Sequence, residues 1–340
     1  MATLPGPKAR WVSFPPLPTI RAYSATCCYN GVIYVFGGCN SMGQPLAAAE
    51  CYSFETNTWK TLPNLAVKRA QPHVLIYQGK LVVIGGCREM NQPVQEVEAF
   101  DPVLEEWSKL TPLPFSLAFF SCAVYKDSIY VAGGMSTHGP CNDMTYVLKS
   151  GSSEWEASSM MPTKRYACKA FTHDDEIYVF GGRVLMTPSS AVDSLNTLSN
   201  TWTKQPDILD GKMFSPIVQN GGCFYILGGL KPNGEFLNTA EVFDVNTKSW
   251  KNVTPMLSKR ADMATELYKN WIVVVGGQNE KGQSQKSEVY DMDKDVWFNL
   301  PDLPTSRCGA TAVVHGNSFV IIGGMGANGP LGDVDALIFE

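Results

Sequence analysis

Val32-Ile33-Tyr34-Val35-Phe36-Gly37-Gly38 decides the fold, because the chain writes it again six times. LVVIGG occupies 81–86, IYVAGG 129–134, IYVFGG 177–182, FYILGG 224–229, IVVVGG 272–277 and FVIIGG 319–324. The first glycines, at 37, 85, 133, 181, 228, 276 and 323, advance by 48, 48, 48, 47, 48 and 47 residues. Tryptophan keeps the same beat at Trp11, Trp59, Trp107, Trp155, Trp202, Trp250 and Trp297, each 26 residues before its Gly-Gly. Length varies only between a Gly-Gly and the next Trp, and Trp271 alone is out of phase. A repeat of this length is one supersecondary unit that buries its apolar face by stacking on its neighbours.

Each unit reads as four antiparallel strands. The β-branched and aromatic run before Gly-Gly is a strand. Hairpin turns precede it, as at Asn30-Gly31, Gln78-Gly79 and Asn220-Gly221, where positive φ is at home. A strand such as 22–29 enters that turn. After Gly-Gly comes a polar loop of about ten residues, then a third strand such as 50–54, a turn and the Trp strand. No segment with helical spacing interrupts. The expected fold is all-β: a seven-bladed β-propeller of four-stranded antiparallel blades, one domain over 1–340. The glycines are expected to admit a close backbone, and the Trp rings to pack between sheets. Because the last repeat stops before a Trp strand, residues 10–14 are expected to pair with 335–339. That strand would complete the seventh blade and remove an open edge.

Composition agrees with a soluble globular protein: 340 residues, 44% hydrophobic, 17% charged, mean hydropathy −0.08. A net charge of −5 argues against nucleic acid as a partner. Apolar runs are too short for a membrane span, and the N-terminus lacks an apolar leader. The ten cysteines show no CxxC pair or zinc spacing, so reduced thiols in a cytoplasmic protein are expected.

The Gly-Gly after an apolar strand, the third-strand ring (Tyr52, Phe100, Phe243, Tyr290) and the spaced Trp resemble the kelch motif, over essentially the whole chain. KRAD at 259–262 and LPDLPTSRC at 300–308 resemble the kelch domain-containing protein eight group, which consists of a propeller alone. No BTB, BACK or F-box segment is expected. The resemblance implies a protein-binding adaptor or scaffold, in substrate recognition for a ubiquitin ligase or in cytoskeletal association. No cullin-binding helix is recognisable after the propeller, so ligase recruitment would use the propeller surface. A monomer with an unidentified protein partner, no cofactor and no metal is the expectation.

Two columns of charge stand in the repeats. Sixteen residues before each Gly-Gly are Arg21, Arg69, Leu117, Arg165, Lys212, Arg260 and Arg307. Twelve or thirteen residues after its first glycine are Glu50, Glu98, Tyr146, Asp193, Glu241, Glu288 and Asp335. The basic column could be a collar for an acidic peptide. The joint loss of both charges in the third repeat favours buried ion pairs, because one partner left alone would cost about 3–5 kcal/mol.

Specificity then belongs to the rim and the inner strand. Two and four residues beyond the basic column lie Tyr23, Gln71 and His73, Phe119, Lys169, Phe214 and Asp262, read here as one strand face lining a wet central channel. The plainer alternative is that such polar residues are merely solvated by channel water. The loops after Gly-Gly (CNSMGQPLAA, CREMNQPVQE, MSTHGPCNDM, RVLMTPSSA, LKPNGEFLN, QNEKGQSQK, MGANGPLGD) differ among repeats, the usual layout of a recognition surface. Met42, Met90 and Met186, with Arg88, Arg183, Lys231 and Lys281, are its adaptable contacts.

The alternative is a metal-dependent enzyme at the channel, since galactose oxidase is similar in fold and uses copper. The four histidines, His73, His138, His173 and His315, are scattered, no HxH, HExxH, GxSxG or P-loop occurs, and catalysis is not expected. The Asp174-Asp175-Glu176 turn reads as solvated rather than as a calcium site.

Overall fold

The computed structural model describes residues 6–89, 92–137 and 139–340; Met90 and His138 lie outside the described residues. Among the described residues there is no α-helix, hence none long and apolar enough to cross a membrane. Seven four-stranded sheets form a seven-bladed propeller. In each blade we letter the strands a to d in the order that the sheet pairs them.

The chain divides into two compact units, one made of Met1–Tyr34, Cys51–Lys60 and Met213–Glu340, the other of Val35–Glu50 and Thr61–Lys212. The second unit holds blades 2 to 4 whole. Blade 2 runs His73–Tyr77, Lys80–Ile84, Val97–Asp101, Glu106–Leu110. Blade 3 runs Ser121–Tyr125, Ser128–Ala132, Thr145–Lys149 and a short Glu156–Ala157. Blade 4 runs Lys169–His173, Glu176–Phe180, Val192–Asn196, Thr201–Gln205. The first unit holds blades 5 to 7. Blade 5 spans Ile217–Asn220 to Ser249–Val253 and blade 6 Ala264–Tyr268 to Val296–Asn299. Blade 7 takes Thr311–His315, Ser318–Ile322 and Val334–Phe339, and its fourth strand is Ala9–Phe14.

That last pairing is antiparallel over six residues, from Ala9 opposite Phe339 to Phe14 opposite Val334. Each strand starts one residue earlier than expected, at Ala9 and at Val334, and Trp11 lies opposite Leu337. Its Nε1 donates to the Pro301 carbonyl at 2.8 Å. Five of the other rhythmic tryptophans do the same with a carbonyl 43 or 44 residues earlier: Trp59 to Pro15, Trp107 to Pro63, Trp155 to Thr111, Trp202 to Ser159, Trp297 to Thr254, at 2.7–3.0 Å. A bulky ring thus fills the space beside the preceding blade while its one polar atom is satisfied there. That explains a Trp where another aromatic would leave a carbonyl unpaired.

Gly-Gly has an equally local cause. Both glycines hold positive φ, near 60° and 100°. The second donates its N–H to the carbonyl of the next blade's basic residue: Gly38 to Arg69, Gly134 to Arg165, Gly229 to Arg260, Gly277 to Arg307, at 2.8–3.0 Å. A Cβ on the first glycine would stand 2.7 Å from the Arg165 carbonyl oxygen at Gly133 and 2.6 Å from that of Arg307 at Gly276. Only glycine allows this approach.

Candidate functional site

The charged columns are structural where the pairs are seen. In the second unit Arg69 is paired with Glu98, and Arg165 Nη1 with Asp193 Oδ2 at 2.6 Å, all buried. In the first unit Arg260 Nη2 lies 3.1 Å from Glu288 Oε1, and Arg307 Nη2 2.6 Å from Asp335 Oδ2. The arginines also donate to carbonyls: Arg260 to Gly276 and Lys286, Arg307 to Asp333. Glu288 accepts from the Leu257 N–H, and Asp335 from the Ser13 hydroxyl. Burial pushes the Arg69 and Arg260 guanidiniums below their ordinary value against the pull of Glu98 and Glu288. Burial likewise raises the Asp193 carboxyl, opposed by Arg165. In blade 3, Leu117 and Tyr146 are buried, and Tyr146 packs edge-on against Phe115 at 5.5 Å. Both positions there are filled by buried side chains that carry no charge.

The inner strand differs from expectation. Strand a starts four residues beyond the basic column in blades 2, 3, 4, 6 and 7 and five beyond it in blade 5. The position two residues beyond is therefore not on its face. Tyr23, Gln71, Phe119, Ala167, Phe214, Asp262 and Gly309 all sit there in the left-handed region, φ 51–59°. Consecutive members are joined by backbone: the Ala167 N–H donates to Phe119 O at 2.6 Å, Asp262 to Phe214 O at 2.8 Å and Gly309 to Asp262 O at 3.1 Å. This left-handed link between blades interrupts the period-two pattern that seemed to carry on through it. A bulky residue in this region costs on the order of 1–3 kcal/mol.

In the second unit, His73 opens strand a of blade 2 and packs on the Phe120 ring at 4.8 Å. Burial, with the nearby Lys169 ammonium, depresses its pKa to about 4, so the imidazole is neutral near pH 7. Lys169 opens strand a of blade 4 and is exposed. Gln71 and Phe119 are half-buried, and Phe119 lies edge-on to Tyr166 at 6.3 Å. Arg88 is paired with Glu96 at 2.6 Å and, with Lys68, Glu89 and Gln92, lines an open groove of about 450 Å³. Arg183 bridges Tyr166 through its backbone.

The loops after Gly-Gly are more ordered than their polar composition implied. Arg183–Val184 pairs with Thr187–Pro188, Gln278–Asn279 with Gly282–Gln283, and Met325–Gly326 with Gly329–Pro330. On the blade 4 hairpin, Leu185 and Met186 are 59% and 81% exposed. The Tyr166 hydroxyl holds Leu185 by its carbonyl at 2.6 Å, and the Leu185 N–H donates to Cys141 Sγ at 3.2 Å. Met42 is 75% exposed at the corresponding tip. Sequence spacing had no means to show these clamps.

In the first unit, Tyr23 and Phe214 are 42% and 49% exposed. A Cβ built on Gly309 would stand 3.2 Å from Asp262 Oδ2 and 3.8 Å from Tyr23 Cε1, so ring and carboxylate converge over that glycine. Cys308 is raised to about 11, by burial first and then by the Asp262 carboxylate beside it. Glu266, on strand a of blade 6, is raised to about 7 by burial. His315 stacks on Phe54 at 4.2 Å, at the far end of its strand. No group of three or more His, Cys, Asp or Glu among the described residues is placed to hold a metal.

Two family models cover the chain. The Attractin/LZTR1 beta-propeller matches residues 129–332, and the KLHDC2/KLHL20/DRC7 Kelch-repeats domain matches 9–134. The chain belongs to the kelch-repeat β-propellers. It is 30% identical over 91 residues to the Kelch repeat protein M-T8 of Myxoma virus (strain Lausanne), covering 27% of this chain and 18% of that protein. It is 31% identical over 101 residues to Kelch domain-containing protein 8B of Homo sapiens and of Bos taurus, covering 26% of this chain and 28% of each relative. These matches thus span under a third of the relatives' lengths. The solved "Structure of YjhT" shares the fold at TM-score 0.60 and 16% identity, over 94% of this chain and 95% of that one. Kelch membership points to a protein-interaction scaffold.

Proposed function

We propose that this kelch propeller is a non-catalytic scaffold or adaptor that grips a peptide or loop of a protein partner on the rim formed by the loops after Gly-Gly. The reading rests on the blade 4 hairpin, where the Leu185 backbone is held at its N–H and its carbonyl while the Leu185 and Met186 side chains are left in water. Exposed apolar side chains on a fixed backbone lose little freedom on binding and add contact area. In this reading the buried ion pairs set the frame, and the rim supplies specificity. Service to a ubiquitin ligase or to the cytoskeleton, as a cytoplasmic monomer of one domain, is the finer form of the proposal.

The test is capture from cells by the full chain, with two variants. One is Leu185→Ser with Met186→Ser; the other is Tyr23→Ala, Phe119→Ala and Phe214→Ala. Loss of the same partners from both supports the reading. An unchanged partner set in both rejects this rim.

A further inference from the structure

The residue before each Gly-Gly is Phe36, Ile84, Phe180, Leu227, Val275 or Ile322 in six repeats, and Ala132 in the third. Ala132 is buried on strand b of blade 3, in register with Ser121 of strand a on one side and Thr145 of strand c on the other. Residues opposed in this way share one face of a sheet. The next pair on that face, Ala123 with Tyr130, packs with Ile177, Leu195 and Trp202 of blade 4. The row of Ser121, Ala132 and Thr145 therefore faces blade 4, and at its middle a large side chain is missing.

The neighbours do not close the gap. A cavity of about 10 Å³ lies there, walled by Ser121, Ala123, Ala132 and Thr145 of blade 3 and, across from them, by Ala170 and Trp202 of blade 4 among others. Its wall is polar at two points. Thr145 is only 2% exposed, and its Oγ1 has no hydrogen-bond partner among the described residues. Ser121, as deeply buried, gives its proton to the Ala132 carbonyl at 3.0 Å and keeps its oxygen lone pairs. A buried hydroxyl left unpaired is costly, and a void of this size with two hydroxyls on its wall suits a water rather than an apolar guest. We propose that this cavity is an internal hydration site holding one water, which accepts from the Thr145 hydroxyl and donates to Ser121 Oγ. A volume near 10 Å³ admits one water and nothing larger. The water supplies the bulk that Ala132 lacks and pairs the hydroxyl of Thr145.

A high-resolution crystal structure of the full chain tests this. One peak of water density within hydrogen-bond distance of both hydroxyls is expected. A cavity without density, or a Thr145 hydroxyl that donates to a carbonyl instead, overturns the proposal. Thermal melts give a second reading. Ala132→Val expels the water and strands the Thr145 hydroxyl, so the midpoint should fall by about 3 °C. Adding Thr145→Val keeps the side-chain shape without the hydroxyl and should regain most of that loss. A higher midpoint for Ala132→Val alone would mean that a dry void had been filled, and overturns the site. A double variant no more stable than Ala132→Val would mean crowding rather than a stranded hydroxyl, and overturns it as well.

Discussion

Replacing Arg260 by leucine tests the logic of the buried pairs most directly. Arg260 and Glu288 are both fully buried at 3.1 Å. Arg260→Leu leaves the Glu288 carboxylate uncompensated, at a cost of about 3–5 kcal/mol. It also strips a donor from the Gly276 and Lys286 carbonyls, each worth roughly 1 kcal/mol or more when orphaned. Glu288→Tyr alone strands the guanidinium at similar cost. The double variant recreates the Leu117 and Tyr146 combination of blade 3, where no charge remains to be stranded. Its two unpaired carbonyls persist, so it does not regain the parent's stability. It should nevertheless be more stable than the sum of the singles implies by at least about 2 kcal/mol. Denaturant or thermal melts of the four proteins measure this, each single falling by roughly 10 °C on the usual size scaling. Additivity within about 0.5 kcal/mol would refute the account and return the basic column to candidacy as a ligand collar.

Gly276→Ala places a methyl 2.6 Å from the Arg307 carbonyl oxygen at a φ of 66°, and should cost about 3 kcal/mol or prevent folding, read by circular dichroism melts. Glu266, raised to about 7 when folded, contributes stability that is fully present below its unfolded value and lost as pH rises through 7. Glu266→Gln should therefore be silent at pH 4 and stabilising by up to about 3 kcal/mol above pH 7. His73 has the opposite sign: with a folded value near 4, its contribution is present above pH 6.5 and lost as pH falls toward 4. His73→Phe should flatten that acid limb of the stability profile. A chain lacking residues 1–14 loses the outer strand of blade 7 and should melt far below the parent; an unchanged midpoint would disprove the closure.

What repeated seven times was legible. Gly-Gly, Trp and the paired charges each answer a local demand that every blade makes, so their columns stand out without coordinates. Leu117 with Tyr146 was the informative exception, since only a physical pair loses both members together. The inner face was misjudged because alternation was continued through Tyr23, Gln71 and Phe119 into the strand. A left-handed residue there breaks the alternation, and Gly309 with Asp262 in the same column was the sole hint. The hairpin clamp at Leu185 depends on Tyr166 and Cys141, 19 and 44 residues away, and no spacing rule connects them.

The partnership of Ala9–Phe14 with Val334–Phe339 also sets an order of events at the ribosome. Ser13 is made 322 residues before Asp335, whose carboxylate it bonds. At about 5–20 residues per second, the segment waits roughly 15–65 s for its mate. During that interval its edge is open to other nascent strands. Among the strand pairings within the blades, this is the one that synthesis completes last.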